Sequence, residues 1–334
     1  MYPPLFHRRP ERSDTFAPTE PASAYSLSYV DPRSWRRLAG EMRLWRPDVF
    51  VVPWFHPVMA PPFSYLFRQL PATTKRLIIC HNVVPHEPFR GWRQLTRAVF
   101  RRADRLIVHA PTQNQELREL GVTGVPVTEL FLPRFGEAPP WRPDDVAAFR
   151  SELGDPEHVL LCFGIVRGYK GFDLAVDALG RLVANGYDVK LVIAGRIFDG
   201  GNQLREQIAS SGVADRVMLF DEYVPDTRVP VLFRAADVTL LPYRTASQSA
   251  VAQLSFSHGC PVVATAVGGL PDAIRDGVDG VLVPRADVNA LAEGIARILR
   301  DRDRFRENVD AAPSELSFDR YAELLLASID DHQR

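Results

Sequence analysis

The chain has 334 residues, 46% hydrophobic and 24% charged, with a formal net charge of -1. That balance excludes a disordered or collagen-like chain and gives room for two domains of ordinary size. No apolar run is long enough for a membrane-spanning helix. The charge is unevenly spread: residues 1–150 carry 21 Lys+Arg against 14 Asp+Glu, and residues 151–334 carry 19 against 27. A basic front half suits an anionic partner, such as a membrane surface or a phosphate-bearing acceptor, and equally suits a solvated arginine-rich face. Cys80, Cys162 and Cys260 each lie in or beside an apolar strand-like run, with no CxxC pair. A reducing, cytoplasmic setting is expected, at the inner face of a membrane if the basic half serves as a contact. No nucleic-acid-binding module is recognisable, so nucleic acid is not an expected partner.

In chain order, residues 1–33 are rich in proline and polar residues and read as loop or arm. Trp35, Leu38, Met42 and Trp45 at helical spacing predict a helix over 35–45. Strands Asp48–Trp54, Lys75–Cys80, Asp104–His109 and Val125–Leu132 then alternate with helices at about 62–70, 92–102 and 112–119. Glu137–Pro143 reads as a linker. A second set follows, with strands His158–Phe163, Asp188–Ala194, Arg216–Phe220, Asp237–Leu241, Val262–Thr265 and Gly280–Val283. Its helices are expected near 172–185, 202–211, 229–235, 249–258, 270–276 and 287–299, with a terminal one over 318–329. Such alternation predicts two doubly wound parallel-sheet α/β domains: an acceptor-side domain over 1–140, a donor domain over 141–316, and a terminal helix and tail over 317–334.

Two stretches carry chemistry. Strand His158–Phe163 runs into Gly164-Ile165-Val166-Arg167-Gly168-Tyr169-Lys170-Gly171, where Gly164 and Gly168 are expected to give tight backbone geometry. Arg167 and Lys170 put a planar fork and a mobile point charge at the sheet edge, a pair suited to a diphosphate; two solvated loop cations are the plainer alternative. Strand Asp237–Leu241 runs through Pro242 into the small polar turn Thr245–Ser249, which opens a helix ending at Gly259-Cys260-Pro261. A hydroxyl-rich turn at a helix N-terminus favours anions, although an ordinary crossover has the same outline.

With FGIVRGYKGFDLAVDAL, LVIAG, AADVTLLPY and HGCPVVATAVGGLPDAIRDGVDGVLVP in order, residues 158–300 resemble the donor half of retaining glycosyltransferase family 4. RPDVFVVPW, LIICHNVVPHEPF and RRADRLIVHAP make residues 46–132 a looser match to its acceptor half. The resemblance implies a GT-B architecture, with two sheets facing across a cleft. It also implies transfer of a hexose-type sugar from a nucleotide-sugar donor to a glycan, lipid-linked or small-molecule acceptor, with retention and without a metal. On this resemblance Arg167 and Lys170 neutralise the donor diphosphate, and His81 stands near the donor sugar, with Asn82 and His86-Glu87 close in sequence. Gly164, Gly168, Gly171, Gly195, Tyr223 and Val224 line the nucleotide. Tyr243, Arg244, Ser247, Gln248, Ser249, Ala250, Val251 and Gln253 complete the donor side.

Two departures stand out. The family's pair of glutamates falls on Ala246 and Leu254, so sugar and ribose recognition must rest on other groups, although Tyr243–Ala250 resembles the Y-R-S-A-x-Q-S-G stretch of one family branch. This loss keeps a catalytically silent nucleotide-sugar binder in play, along with a GT-B epimerase or phosphorylase. The family's acceptor domain also opens with a strand, a glycine-rich turn and a helix. Here Met1-Tyr2-Pro3-Pro4-Leu5-Phe6 begins a proline-rich stretch, so that unit is expected to be missing, and either the reading frame extends upstream or this form is poorly active. Asp301-Arg302-Asp303, the lone D-x-D, reads as solvated surface, and no metal is expected.

Overall fold

The computed structural model describes residues 27–85, 87–135, 140–198, 201–311 and 316–330. Most of the expected N-terminal arm, His86 and residues 137–139 of the expected linker lie outside them. The chain divides into two compact units, one formed by residues 1–131 with 322–334 and the other by 132–321.

In the first unit, helix α1 (Pro32–Trp45) starts three residues before the expected Trp35, because the Asp31 side chain caps the Arg33 N–H and Pro32 takes the first helical position. Strands β1 (Val49–Trp54), β2 (Lys75–Cys80), β3 (Arg105–Val108) and β4 (Val127–Glu129) pair in parallel in that order. Between them run α2 (Ala60–Gln69), α3 (Trp92–Phe100) and α4 (Pro111–Glu119). Right-handed crossovers that all advance the same way place these helices on one face. There Val52, Trp54, Ile78, Cys80, Leu106 and Val108 pack under Phe63, Leu66, Phe100 and Leu117. The Trp54 and Phe100 rings meet edge to face at 5.0 Å.

The second unit contains helix α5 (Pro143–Glu152) and a six-stranded parallel sheet. Its strands are β5 (His158–Phe163), β6 (Val189–Ala194), β7 (Val217–Phe220), β8 (Val238–Leu241), β9 (Val262–Thr265) and β10 (Gly280–Val283). Its other helices are α6 (Phe172–Ala184), α7 (Gly201–Ser210), α8 (Val229–Ala235), α9 (Ala250–Ser257), α10 (Leu270–Ala273), α11 (Val288–Arg300) and α12 (Arg302–Asp310); of α13 (Phe318–Asp330), residues 322–330 belong to the first unit. The order β10-β9-β8-β5-β6-β7 makes the sheet doubly wound. Both faces are covered: Leu160, Cys162, Leu191 and Ile193 lie in one core cluster, and Val159, Leu161, Val192 and Ala194 in another. Burial on both faces is why these strands read as continuous apolar runs.

Helices α5 and α12 were not expected from sequence. Both reach the buried Asp237, which accepts from the Val159 N–H at 2.8 Å. Arg150 of α5 stands 3.4 Å from Asp237 and Arg302 of α12 stands 3.1 Å away. Arg302 is therefore a tether rather than the middle of a solvated D-x-D, while Asp301 and Asp303 stay exposed.

Candidate functional site

Strand order reverses between β5 and β8, and ligands of such sheets bind beyond the strand C-termini at that point. Two loops leave the sheet there, after β5 and after β8. The β5 loop first zips against the β6 loop: Gly164 donates to Ala194 O at 2.8 Å, Val166 to Arg196 O at 2.9 Å, and Phe198 to Val166 O at 3.1 Å. Gly164 and Gly195 both have positive φ, and a Cβ on Gly195 would lie 2.3 Å from Gly164 O. Residues 168–170 form a single 3-10 turn, and Gly171, at φ 65°, brings its Cα so near Pro242 O that a Cβ would lie 2.1 Å from it. Gly168 departs from expectation: it has no positive φ and open space around it, so the backbone does not demand glycine there.

The β8 loop is held from several sides. Thr265 Oγ1 donates to Tyr243 O at 2.6 Å, and the Arg244 N–H donates to Tyr169 O at 2.7 Å. The Arg244 guanidinium grips the Asp173 carboxylate with both arms and donates to Gly168 O at 2.8 Å. Arg244 thus ties the two loops together. With Arg167, Gly168, Phe172, Asp173 and Gln207 it also lines a cavity of about 270 Å³. Gly269 N–H donates to Ser247 O at 3.0 Å, and a Cβ on Gly269 would lie 2.4 Å from Gln248 Nε2. Ser249 caps α9, its Oγ accepting from Ala252 N–H at 3.4 Å, and shares a hydrogen bond with the buried Tyr243 hydroxyl. The N–H groups of Ala250 and Val251 open the helix and have no intrahelical acceptor. Gln253, in the same first turn, is buried with no partner for its Oε1 among the described residues.

Lys170 lies between the loops and is only 8% exposed. Its Nζ is 2.9 Å from the point where a Gly164 Cβ would sit, and Val251 Cγ2 is 3.8 Å from that same point. The ammonium and the first turn of α9 thus converge on Gly164. Nζ stands 5.8 Å from the Phe172 ring centroid and 5.9 Å from that of Tyr243, and no carboxylate pairs with it among the described residues. Burial, reinforced by the Arg167 charge and opposed by Cys162, brings Lys170 down to about 8. A desolvated cation beside a helix N-terminus is a site short of an anion.

A pH test follows with two opposite signs. Bound diphosphate favours the ammonium, so nucleoside-diphosphate affinity is expected to fall as pH rises through about 8. Ligand-free stability runs the other way. From about 8 up to the ordinary lysine value of 10.5, the unfolded chain holds a proton that the folded chain has released, so the fold gains stability across that window. Denaturation midpoints of the native protein and Lys170→Met, followed from neutral pH to about pH 10, check this; parallel curves would remove the buried ammonium from the argument.

Arg167 lies with its Cζ 4.1 Å from the Phe198 ring centroid. Tyr223 is exposed after β7, its hydroxyl 3.2 Å from Asp226, and Val224 is buried against the second core cluster. Of the two family glutamate positions, Leu254 packs on that same cluster, and Ala246 O lies against Gly268. His81 belongs to the first unit. Its ring stacks on Phe55 at 4.2 Å and lies 5.7 Å from His109, while Asn82 Nδ2 donates to Phe55 O at 3.1 Å. Burial lowers both imidazoles to about 4, so they are neutral at physiological pH. Sequence reasoning missed Asp173 and Phe198. Asp173 stood in the recognised stretch directly after Phe172, but its partner Arg244 lies 71 residues on.

Residues 157–301 match the family model described as "Glycosyl transferases group 1". Among curated proteins, D-inositol 3-phosphate glycosyltransferase of Acidothermus cellulolyticus is 35% identical over 239 residues, covering 68% of this chain and 52% of that protein. The protein of the same name from Nocardia farcinica is 31% identical over 218 residues, covering 63% and 48%. The chain thus spans about half the length of these curated relatives. Among solved structures, Anabaena HepE in complex with UDP and glucose superposes with a TM-score of 0.75 at 17% identity, covering 90% of this chain and 82% of that one. Sucrose-phosphate synthase from Thermosynechococcus elongatus gives 0.69 at 20% identity, covering 90% and 78%. Residues 157–301 thus match a group 1 glycosyltransferase domain, within a chain whose fold is that of GT-B glycosyltransferases.

Proposed function

We propose that the chain transfers a hexose-type sugar, with retention and without a metal, from a nucleotide-diphosphate sugar to a glycan, lipid-linked or small-molecule acceptor. The observation that carries this reading is the unpaired ammonium of Lys170, converging with the first turn of α9 on Gly164. As the nucleotide diphosphate leaves, negative charge grows on it while the sugar gains oxocarbenium character. Lys170, Arg167 and the Ala250 and Val251 N–H groups supply fixed positive potential for that charge, each well-placed donor being worth about 3 kcal/mol. HepE was solved with UDP and glucose, so uridine nucleotides come first in a donor panel. The name of the curated relatives is a reason to include a phosphorylated polyol among the acceptors tried.

The test is release of free nucleoside diphosphate from a panel of nucleotide sugars, with and without acceptor. Release that needs an acceptor and persists in EDTA is expected; strict dependence on magnesium or manganese would overturn the metal-free mechanism. A second reading, a silent nucleotide-sugar binder, is favoured by the apolar packing of Leu254 where the family has a carboxylate. Nucleotide binding without release from any donor would select it.

The basic first unit extends the proposal to a membrane-proximal acceptor. Leu44 and Trp45 stand exposed at the end of α1, among Arg36, Arg37, Arg43 and Arg46. Phe89, Arg90, Trp92 and Arg93 add a second aromatic and cationic group, with Arg93 over the Trp92 ring at 5.3 Å. Trp35 is not part of an exposed face: its Nε1 donates to Ser28 O at 2.6 Å. Each basic residue at an anionic surface adds about 1 kcal/mol. Co-sedimentation with phosphatidylserine vesicles at low salt is expected, weakened by salt and by Trp45→Ala. Equal recovery with neutral vesicles, or none, returns these residues to a solvated face.

A further inference from the structure

The β6 loop does more than border the site. An arginine carries its charge on a long stem with several rotatable bonds, and a cation that must be gathered into place at each encounter binds weakly. In this chain the Arg167 guanidinium sits over the ring of Phe198, Cζ 4.1 Å from the centroid. Phe198 is itself 39% exposed, and a phenyl ring gains nothing from standing in water. Its backbone is pinned on both sides of the zip. Phe198 N–H donates to Val166 O at 3.1 Å, and Ile197 N–H donates to Asp221 Oδ1 at 2.7 Å. Asp221 is paired in turn with Arg205 of α7. The ring therefore has a fixed address, one residue-to-residue contact from the cation at issue. Stacking uses the flat face of a guanidinium and none of its N–H groups, which all lie in the plane and point outward.

We propose that Phe198 is the positioning residue for Arg167, holding the guanidinium so that its edge meets the donor diphosphate. The proposal rests on the reading of Arg167 as a diphosphate contact. It adds an aromatic on a different strand's loop, one that no phosphate-binding pattern in the chain would suggest. The ring touches the cation rather than the ligand, so its effect travels only through Arg167.

A double-mutant cycle on the full chain tests this, with UDP as the probe and binding followed by calorimetry. Phe198→Leu keeps bulk and removes the π face; binding is expected to weaken about three- to fivefold, the range of an exposed cation–π contact. Phe198→Tyr restores the face and is expected to bind within about twofold of the native protein. Arg167→Ala is expected to lose at least about tenfold, and adding Phe198→Leu to it is expected to change nothing more. Phe198→Met runs beside Phe198→Leu, so that one poorly folded variant does not decide the result. Additive effects, equal losses in Tyr and Leu variants, or native binding by both Leu and Met variants would overturn the role of Phe198. Unchanged UDP binding by Arg167→Ala is a different outcome: it removes the diphosphate contact itself, and with it the reading on which this proposal stands.

Discussion

Lys170→Met is expected to lose about two orders of magnitude in sugar transfer while leaving the ligand-free protein as stable as before, or more so. The two halves of this result have one cause. Nζ is buried between the Phe172 and Tyr243 rings with no carboxylate partner among the described residues. Carrying a charge there without a partner costs the ligand-free fold, and an unbranched apolar side chain of similar length removes that cost. The same lack of a counterion makes the ammonium valuable once a diphosphate arrives. Initial rates and thermal midpoints of the two proteins check both halves. A transfer loss accompanied by equal destabilisation would mark Lys170 as a structural residue, and unchanged transfer would end its assignment to the donor site.

Gly268→Ala is expected to be the most damaging single-methyl change among the described glycines. Gly268 sits at φ 55°, and a Cβ there would lie 1.5 Å from Ala246 O. No side-chain rotation relieves a clash with backbone, so the β8 loop or the residue itself must move. A loss of more than about 3 kcal/mol is expected, with nucleotide binding lost alongside. Gly40→Ala is the control. Gly40 lies inside α1 with nothing within 4 Å of a new Cβ, and alanine there is expected to stabilise by up to about 1 kcal/mol. Thermal denaturation of the pair checks this, and similar midpoints for the two variants would refute the close-approach argument.

The second unit was the more legible in sequence, because strands buried on both faces leave unbroken apolar runs between turn residues. His158–Phe163, Val262–Thr265 and Gly280–Val283 fall where those runs do. Strand β4 is three residues long where eight were expected, since Pro126 and Pro133 bound the run and only β3 pairs with it. Helix α5 escaped notice because Phe149 is its one buried residue, so its apolar period is faint despite Pro143 at its start and Asp144 and Asp145 in its first turn. Helix α12 buries only Phe305 and Val309 among charged neighbours. In the site, Arg167 and Lys170 were legible because glycine spacing and a strand end are local signals. The Arg244–Asp173 grip and the Arg167–Phe198 stack were not: each joins loops from different strands, and nothing in either loop's composition names its partner.

The shape of the β8 loop is fixed largely by atoms outside it. Gly268 and Gly269 back it, Thr265 holds Tyr243 O, Tyr169 O receives the Arg244 N–H and Asp173 anchors the Arg244 side chain. In residues 245–248 the backbone itself is held: Ala246 O abuts Gly268, and Ser247 O accepts from the Gly269 N–H. Such a loop can exchange side chains without being reshaped, because its mould is written elsewhere in the chain. Under the proposed function, Ala246 can stand where the family has a carboxylate while the backbone N–H groups that open α9 keep their place.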